Sequence, residues 1–319
     1  MTIDAGSPEL PPQGDHAAAL APRSPFASIF LGPNGIRAGW RLLIFVVIFL
    51  GLARLTGFAI HHIPAVHAWE EAQPKDTMTA AQGIFGEGIG SLMLILATLI
   101  MTKIEKKTYA DYNLPLAEAF GKRFWQGIPL GLGMLSILMG IIAALHGFSI
   151  SGFALGGAEA ARYGALFGIV FILVGFFEEF SFRGYMQATL ASGIGFWPAA
   201  IVLSILFGAG HLRNEGEMIY GALMAASFGL VAALSLRRTG SIWFAIGMHA
   251  SWDWGETYLY SVPDSGMVAP GHLLNSSFHG PAWITGGTVG PEGSAFAFLT
   301  LVLWAVAIHF LFPAKQTAT

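Results

Sequence analysis

The chain has 319 residues, 54% of them hydrophobic and 11% charged, with a mean hydropathy of +0.62 and a formal net charge of -3. A soluble globular protein is about one quarter charged, so this composition describes an integral membrane protein. The small net charge and the lack of any basic run exclude nucleic acid as a partner, and the absence of cysteine excludes disulfides, thiolate metal sites and a cysteine nucleophile.

Residues 1–35 are rich in Pro, Ala and Gly, show no apolar helical face, and read as a loosely ordered cytoplasmic tail. The first long apolar run begins near Trp40 and exceeds the length of a signal h-region, so it is expected to remain as a span. About eight segments of roughly 20 mostly apolar residues are long enough to cross a hydrocarbon core. They cover 40–60, 84–102, 124–146, 164–190, 196–211, 218–236, 241–260 and 295–313, the fifth being short. Continuous apolar runs specify helices rather than the alternating strands of a barrel. The expected fold class is all-α, a polytopic transmembrane helix bundle over 36–315 with a catalytic core at about 164–260.

Residues 108–121 read as an interfacial connector, and the Gly-rich stretch 261–293 as the longest outer loop. Arg23, Arg37, Arg41, Lys103, Lys106, Lys107, Lys122, Arg123, Arg237, Arg238 and Lys315 collect on one side, against Lys75, Arg162 and Arg213 on the other. The positive-inside bias then places both termini in the cytoplasm, with an even number of crossings of a cell inner membrane.

The fourth run contains "FFEEFSFRGY". A charged side chain at depth costs from about 2.5 kcal/mol upward, so it faces protein or water and has a partner. Glu179 and Arg183 are four residues apart, on one helical face, and can neutralise each other. They read as an ionic fastening within the bundle. Glu178 stands about 140° around the helix from Arg183 and has no cation on its own face. A carboxylate so placed suits a general base. His211 closes the fifth run in "FGAGH", and "HASWD" in the seventh sets His249 and Asp253 four apart on one face. Each alone reads as a satisfied helix residue. Three runs each carrying an ionisable group at depth point to a shared site. Counted from the start of its run, Glu178 lies about 14 residues and about 21 Å down, whereas His211 stands near the outer end of a short helix, so the two levels do not match on these boundaries.

In order along the chain, "EEFSFR" fits Glu-Glu-x-x-x-Arg, "FGAGH" fits Phe-x-x-x-His and "HASWD" fits His-x-x-x-Asn/Asp. Over about 170–255 this set resembles the CPBP family of intramembrane endopeptidases, which includes CAAX prenyl proteases and bacteriocin-processing or self-immunity proteins. The resemblance implies a glutamate-based peptidase acting on a peptide or membrane-anchored protein in the bilayer, without cofactor or metal. It implies that Glu178 and His211 activate a water, that His249 stabilises the oxyanion, and that Glu179 and Arg183 support the helix. Family members often carry Asn at the position of Asp253; an ionised Asp accepts hydrogen bonds only, so Asp253 orients His249 or is protonated.

Three rival readings stand beside this one. Glu178, His211, His249 and Asp253 could ligate a metal, although no His-Glu-x-x-His is present. The same groups could form a proton relay in a transporter, although no repeated halves are visible. A catalytically silent immunity module would share the fold. Ser181, Ser204 and Ser251 have no Gly-x-Ser-x-Gly context and read as packing residues. His61, His62, His67, His272 and His279 lie on two loops without ligand spacing and read as solvated.

Overall fold

A computed structural model describes residues 25–33, 35–74, 77–214 and 219–313. Most of the expected tail, together with Arg23, Lys75 and Lys315, lies outside the described residues.

The helices in chain order are α1 Pro25–Phe30, α2 Ala38–His61, α3 Pro64–Glu71, α4 Ala80–Glu105, α5 Lys122–Ala144, α6 Gly157–Glu179, α7 Gln187–Ile194, α8 Phe196–His211, α9 Ile219–Thr239, α10 Trp243–Trp254, α11 Ala282–Thr285 and α12 Ala295–Leu311. Two π-helical stretches, Phe180–Met186 and Gly255–Tyr260, extend α6 and α10. The strands are β1 Leu31–Gly32 with β2 Gly35–Ile36, and β3 Phe148–Phe153 with β4 Leu274–Phe278, both pairs antiparallel. The molecule is a helical bundle carrying two small ladders, the second of which pairs the strand after α5 with the outer loop.

Each of the eight apolar runs carries a helix, but they are not equivalent. Residues 38–61, 80–105, 122–144, 157–194 and 219–239 form five helices long and apolar enough to cross a membrane. At 16 and 17 residues α8 and α12 sit at or below the roughly 17–25 residues a crossing needs. α10 is different again: it is buried from Trp243 to Asp253 and forms the axis of the bundle.

Local chemistry sets the helix ends. Thr79 and Gln82 form a reciprocal capping box at the start of α4, with Gln82 N–H donating to Thr79 Oγ1 (3.2 Å) and Thr79 N–H to Gln82 Oε1 (2.8 Å). Ser294 caps α12 by accepting from Phe296 N–H (3.2 Å).

Helices in lipid associate through close packing rather than a hydrophobic drive, and small residues permit that approach. A Cβ at Gly175 of α6 would sit 3.0 Å from the Ile246 carbonyl and 3.5 Å from the His249 Cβ, and one at Gly247 of α10 would collide with the Phe124 carbonyl of α5. These contacts draw α10 against both neighbours.

The levels of Glu178 and His211 are set by the turn between α7 and α8. Gly195 makes it with φ +87°, a left-handed value that glycine adopts without a steric cost. Glu178 lies seventeen residues before Gly195 and His211 sixteen after it, and the chain runs out through the kinked π-stretch and α7 and returns along α8 to bring both side chains to one cavity. Counting from the first residue of the fourth run gave a mismatch because α6 begins at Gly157 and the shared reference is the turn.

The connector at 108–121 is more than interfacial. It forms two 3-10 turns, Ala110–Tyr112 and Leu116–Glu118, and buries Tyr112. Asn113 then donates from Nδ2 to the Arg183 carbonyl (2.8 Å), while its own carbonyl accepts from Ile242 N–H (3.1 Å). A π-turn disturbs the normal helical ladder, and the Asn113 amide satisfies a carbonyl inside that turn.

Candidate active site

α6, α8 and α10 deliver the ionisable residues to one place. Glu178 and Glu179 end α6, His211 ends α8, and His249 and Asp253 occupy successive turns of α10. Glu178, His211, His249 and Asp253 line a single cavity of about 180 Å³, together with Glu87 from α4, Asn214, and Asp264, Ser265, Met267 and Glu292 from the outer loop.

His249 is the hub. Its Nδ1 lies 3.0 Å from Glu179 Oε1, and its Nε2 lies 3.5 Å from Glu178 Oε2 and 3.6 Å from Asp253 Oδ2. With Glu179 accepting, Nδ1 carries a hydrogen, and Nε2 is turned toward the two cavity-lining carboxylates. Phe228 packs against the ring edge-on at 4.8 Å between centroids and holds its plane. His211 donates from Nδ1 to the Phe207 carbonyl one turn earlier (2.9 Å), because a carbonyl can only accept. Its Nε2 is then the nitrogen left for chemistry.

The adjacent carboxylates have opposite surroundings. Glu179 is fully buried, and its Oε1 takes both the Arg183 Nη1 contact (3.2 Å) and the His249 Nδ1 contact. The Glu178 side chain keeps 26% exposure, into the cavity, and the imidazole of another helix supplies the partner that its own helix lacks. Arg183 is buried, with its guanidinium carbon 4.5 Å from the Phe207 ring centroid, a cation–π arrangement that packs α6 on α8. Space for it comes from Gly229 of α9, where a Cβ would stand 2.6 Å from Arg183 Nη2 and 2.7 Å from Ser204 Oγ. The expected Glu179–Arg183 pair is therefore present. Its contact with His249 ties the pair to the imidazole, which spacing along one helix could not reveal.

Among the described residues, the set of three potential metal ligands whose atoms lie within 4.8 Å of one another is Glu256, Asp264 and Glu292; no three of Glu178, His211, His249 and Asp253 meet that condition. Ser251 Oγ donates to the Met248 carbonyl (3.1 Å), and Ser204 packs against Gly229. Of the loop histidines, His61, His62 and His279 are exposed while His67 and His272 are half-buried, and His279 Nε2 meets Ser149 Oγ at 2.8 Å, bracing the β3–β4 ladder. Sequence reasoning missed Glu87. A lone carboxylate within the second run, in "FGEGIG", carried the same signal of a charge at depth that marked Glu178.

The family model described as type II CAAX prenyl endopeptidase Rce1-like matches residues 160–255. Over this segment the chain is similar to the CAAX prenyl endopeptidases. The match spans Glu178, Glu179, Arg183, His211, His249 and Asp253 and excludes Glu87, Asp264 and Glu292, so the cavity is walled partly by the family segment and partly by other parts of the chain. No match was found among curated proteins. The five apolar helices describe an integral membrane protein, and the family matched over 160–255 is one of proteases.

Proposed function

We propose that this protein is a glutamate-dependent intramembrane endopeptidase in which Glu178 and His211 activate a water and His249 stabilises the oxyanion. The observation that carries this reading is the convergence of Glu178, His211, His249 and Asp253, from three helices, on one 180 Å³ cavity. Glu178 accepts the proton of a water held between it and His211 Nε2, and the water oxygen attacks the scissile carbonyl. His249, held by Glu179 at Nδ1, presents Nε2–H to the developing oxyanion; one such donor in a dry site is worth about 10²–10³ in kcat. Asp253, with Oδ2 3.6 Å from the same Nε2, orients the ring by its charge. The proton on Glu178 then passes to the leaving amine.

A substrate with an apolar appendage suits the surroundings. A groove of about 310 Å³ runs between α4, α6 and α10, lined by Leu92, Ile95, Ile172, Leu173, Phe176 and Ile246. It begins at Gly88, next in sequence to the cavity-lining Glu87. This favours a prenylated or lipid-embedded peptide, and the bias of basic residues among the loops is the ground for a cell inner membrane with both termini in the cytoplasm.

Glu178→Gln and His211→Ala each lower cleavage of a membrane-anchored peptide by about 10²–10⁴, and the double variant loses little more, because groups acting on one water are not additive. Full activity in well-folded Glu178→Gln protein would overturn the assignment. A metal reading on the same residues would instead require activity that disappears on chelation and returns only with added zinc.

A further inference from the structure

Beyond α10 the chain carries a second group of acids that the peptidase reading does not use. Glu256 lies in the π-helical extension of α10, Asp264 at the start of the outer loop, and Glu292 in the 3-10 turn just before α12. One carboxylate oxygen from each lies within 4.8 Å of the others. Proximity of acids is not in itself a site, but Glu256 adds an independent observation. It is 0% exposed, and neither of its oxygens has a hydrogen-bond partner among the described residues. The Trp252 indole N–H faces it and is a weak donor at most, its geometry falling outside that of a regular hydrogen bond. A carboxylate aimed into a buried cluster of its own kind, with no regular hydrogen bond, is strongly unfavourable unless a cation joins it.

The other two acids are already braced. Thr257 Oγ1 donates to Asp264 Oδ2 (3.2 Å), and Ser265 Oγ donates to Glu292 Oε2 (2.7 Å). Asp253 is the further carboxylate nearby, and the His249 ring is already shared among Glu178, Glu179 and Asp253. The donor set is all oxygen, without imidazole or thiolate, which selects a hard cation. Calcium accepts irregular cages of carboxylate oxygens, such as three acids on separate stretches of chain supply, whereas magnesium demands a near-ideal octahedron and keeps several of its waters.

We propose that Glu256, Asp264 and Glu292 form a calcium-class cation site that clasps the outer loop to the end of α10. The clasp joins three separate stretches of chain. Two of its members, Asp264 and Glu292, also line the cavity, so the bound ion fixes the loop-borne wall of the site without touching the water or the scissile bond. The proposal does not depend on the peptidase reading, and none of its three ligands lies within the family match, apart as they are from residues 160–255.

The test uses the full chain in detergent or nanodiscs, stripped with EGTA, and terbium as the probe. Trp252 stands beside Glu256 and sensitises bound terbium. The expected result is saturable, Trp-excited luminescence that calcium displaces at lower concentration than magnesium, with a Tm raised by calcium. Glu256→Gln and, as the safer variant at a half-buried position, Glu292→Gln each weaken terbium binding by about tenfold or more. Glu178→Gln leaves terbium binding unchanged while cleavage is lost, which separates failure of this site from failure of the peptidase assignment. Absence of saturable terbium or calcium binding by the folded wild-type chain overturns the proposal. So does unchanged affinity in folded Glu292→Gln, or a cluster whose Glu256→Gln variant is more stable than wild type with or without calcium, the behaviour of acids that simply hold protons.

Discussion

Glu178 and Glu179 are neighbours in sequence at the same helix end, yet the two sides of α6 they occupy are built on opposite terms. On the Glu179 side, an arginine and an imidazole crowd one carboxylate oxygen, Phe207 covers the guanidinium, and Asn113 fills the carbonyl of the π-turn. On the Glu178 side a single imidazole stands 3.5 Å away and the rest is cavity. On the proposed reading, the difference separates a charge retained for architecture from one retained for work. Architectural charges in a bundle are paired, because an unpaired charge at depth is costly, and Glu179 and Arg183 are paired even though Glu179 Oε2 and Arg183 Nη2 close no hydrogen bond. A group that must take a proton from a substrate water needs room and a partner it can leave.

The strongest way to break the comparison is to remove a partner from the paired side. Arg183→Ala leaves Glu179 and His249 facing each other without their cation and is expected to cost about 3–5 kcal/mol of stability, read as a large fall in Tm and yield. A normal Tm would mean that the two sides of α6 are not different in kind. Gly229→Ala probes the same side more gently. The added methyl meets Arg183 Nη2 and Ser204, and overpacking of this sort costs about 1–3 kcal/mol. Its loss of activity should follow its loss of stability, whereas Glu178→Gln should lose activity alone.

Asp253→Asn sharpens the open side. Asn still accepts through its carbonyl oxygen, so cleavage is expected to stay within about tenfold of wild type, with a shifted pH profile because one carboxylate beside His249 has gone. A loss as large as that of Glu178→Gln would make Asp253 a proton carrier. The smallest effect belongs to a carboxylate in solvent. Asp111 accepts at Oδ2 from Thr108 N–H (2.8 Å) and Thr108 Oγ1 (2.7 Å), and these bonds hold its pKa below the usual aspartate value. Its contribution is therefore complete above about pH 4, the unfolded value, and disappears as pH falls through the lower folded one. Asp111→Asn should be slightly less stable than wild type at pH 7, and the gap should close in acid denaturation below pH 3.

Much of this was legible in the sequence because lipid makes charge conspicuous. Glu178, Glu179, Arg183, His211, His249 and Asp253 stood out against apolar runs, and all of them meet around one cavity and its supporting pair. Helix positions were legible for the same reason. What was not legible needed contact between distant stretches. The Asn113 bond to Arg183 and the β3–β4 ladder arise from segments 70 and more than 120 residues apart, in loops with no periodicity. Glu256, Asp264 and Glu292 looked like ordinary loop and helix-end acids, because only folding brings their oxygens together. The number of crossings was blurred by α10: apolarity marks a helix as removed from water but does not distinguish lipid from the centre of a bundle.

The turn at Gly195 makes the run from the end of α6 through α7 and α8 a ruler whose two arms, seventeen and sixteen residues, nearly match. Adding one residue to either arm would move one member of the Glu178–His211 pair by about 1.5 Å along the axis and swing it about 100° around its helix. Insertions and deletions are thus forbidden in this hairpin unless they come in matched sets. A lineage carrying this chemistry would keep that one interval constant and let its surroundings diverge, and a designer transplanting the site would have to graft the hairpin whole.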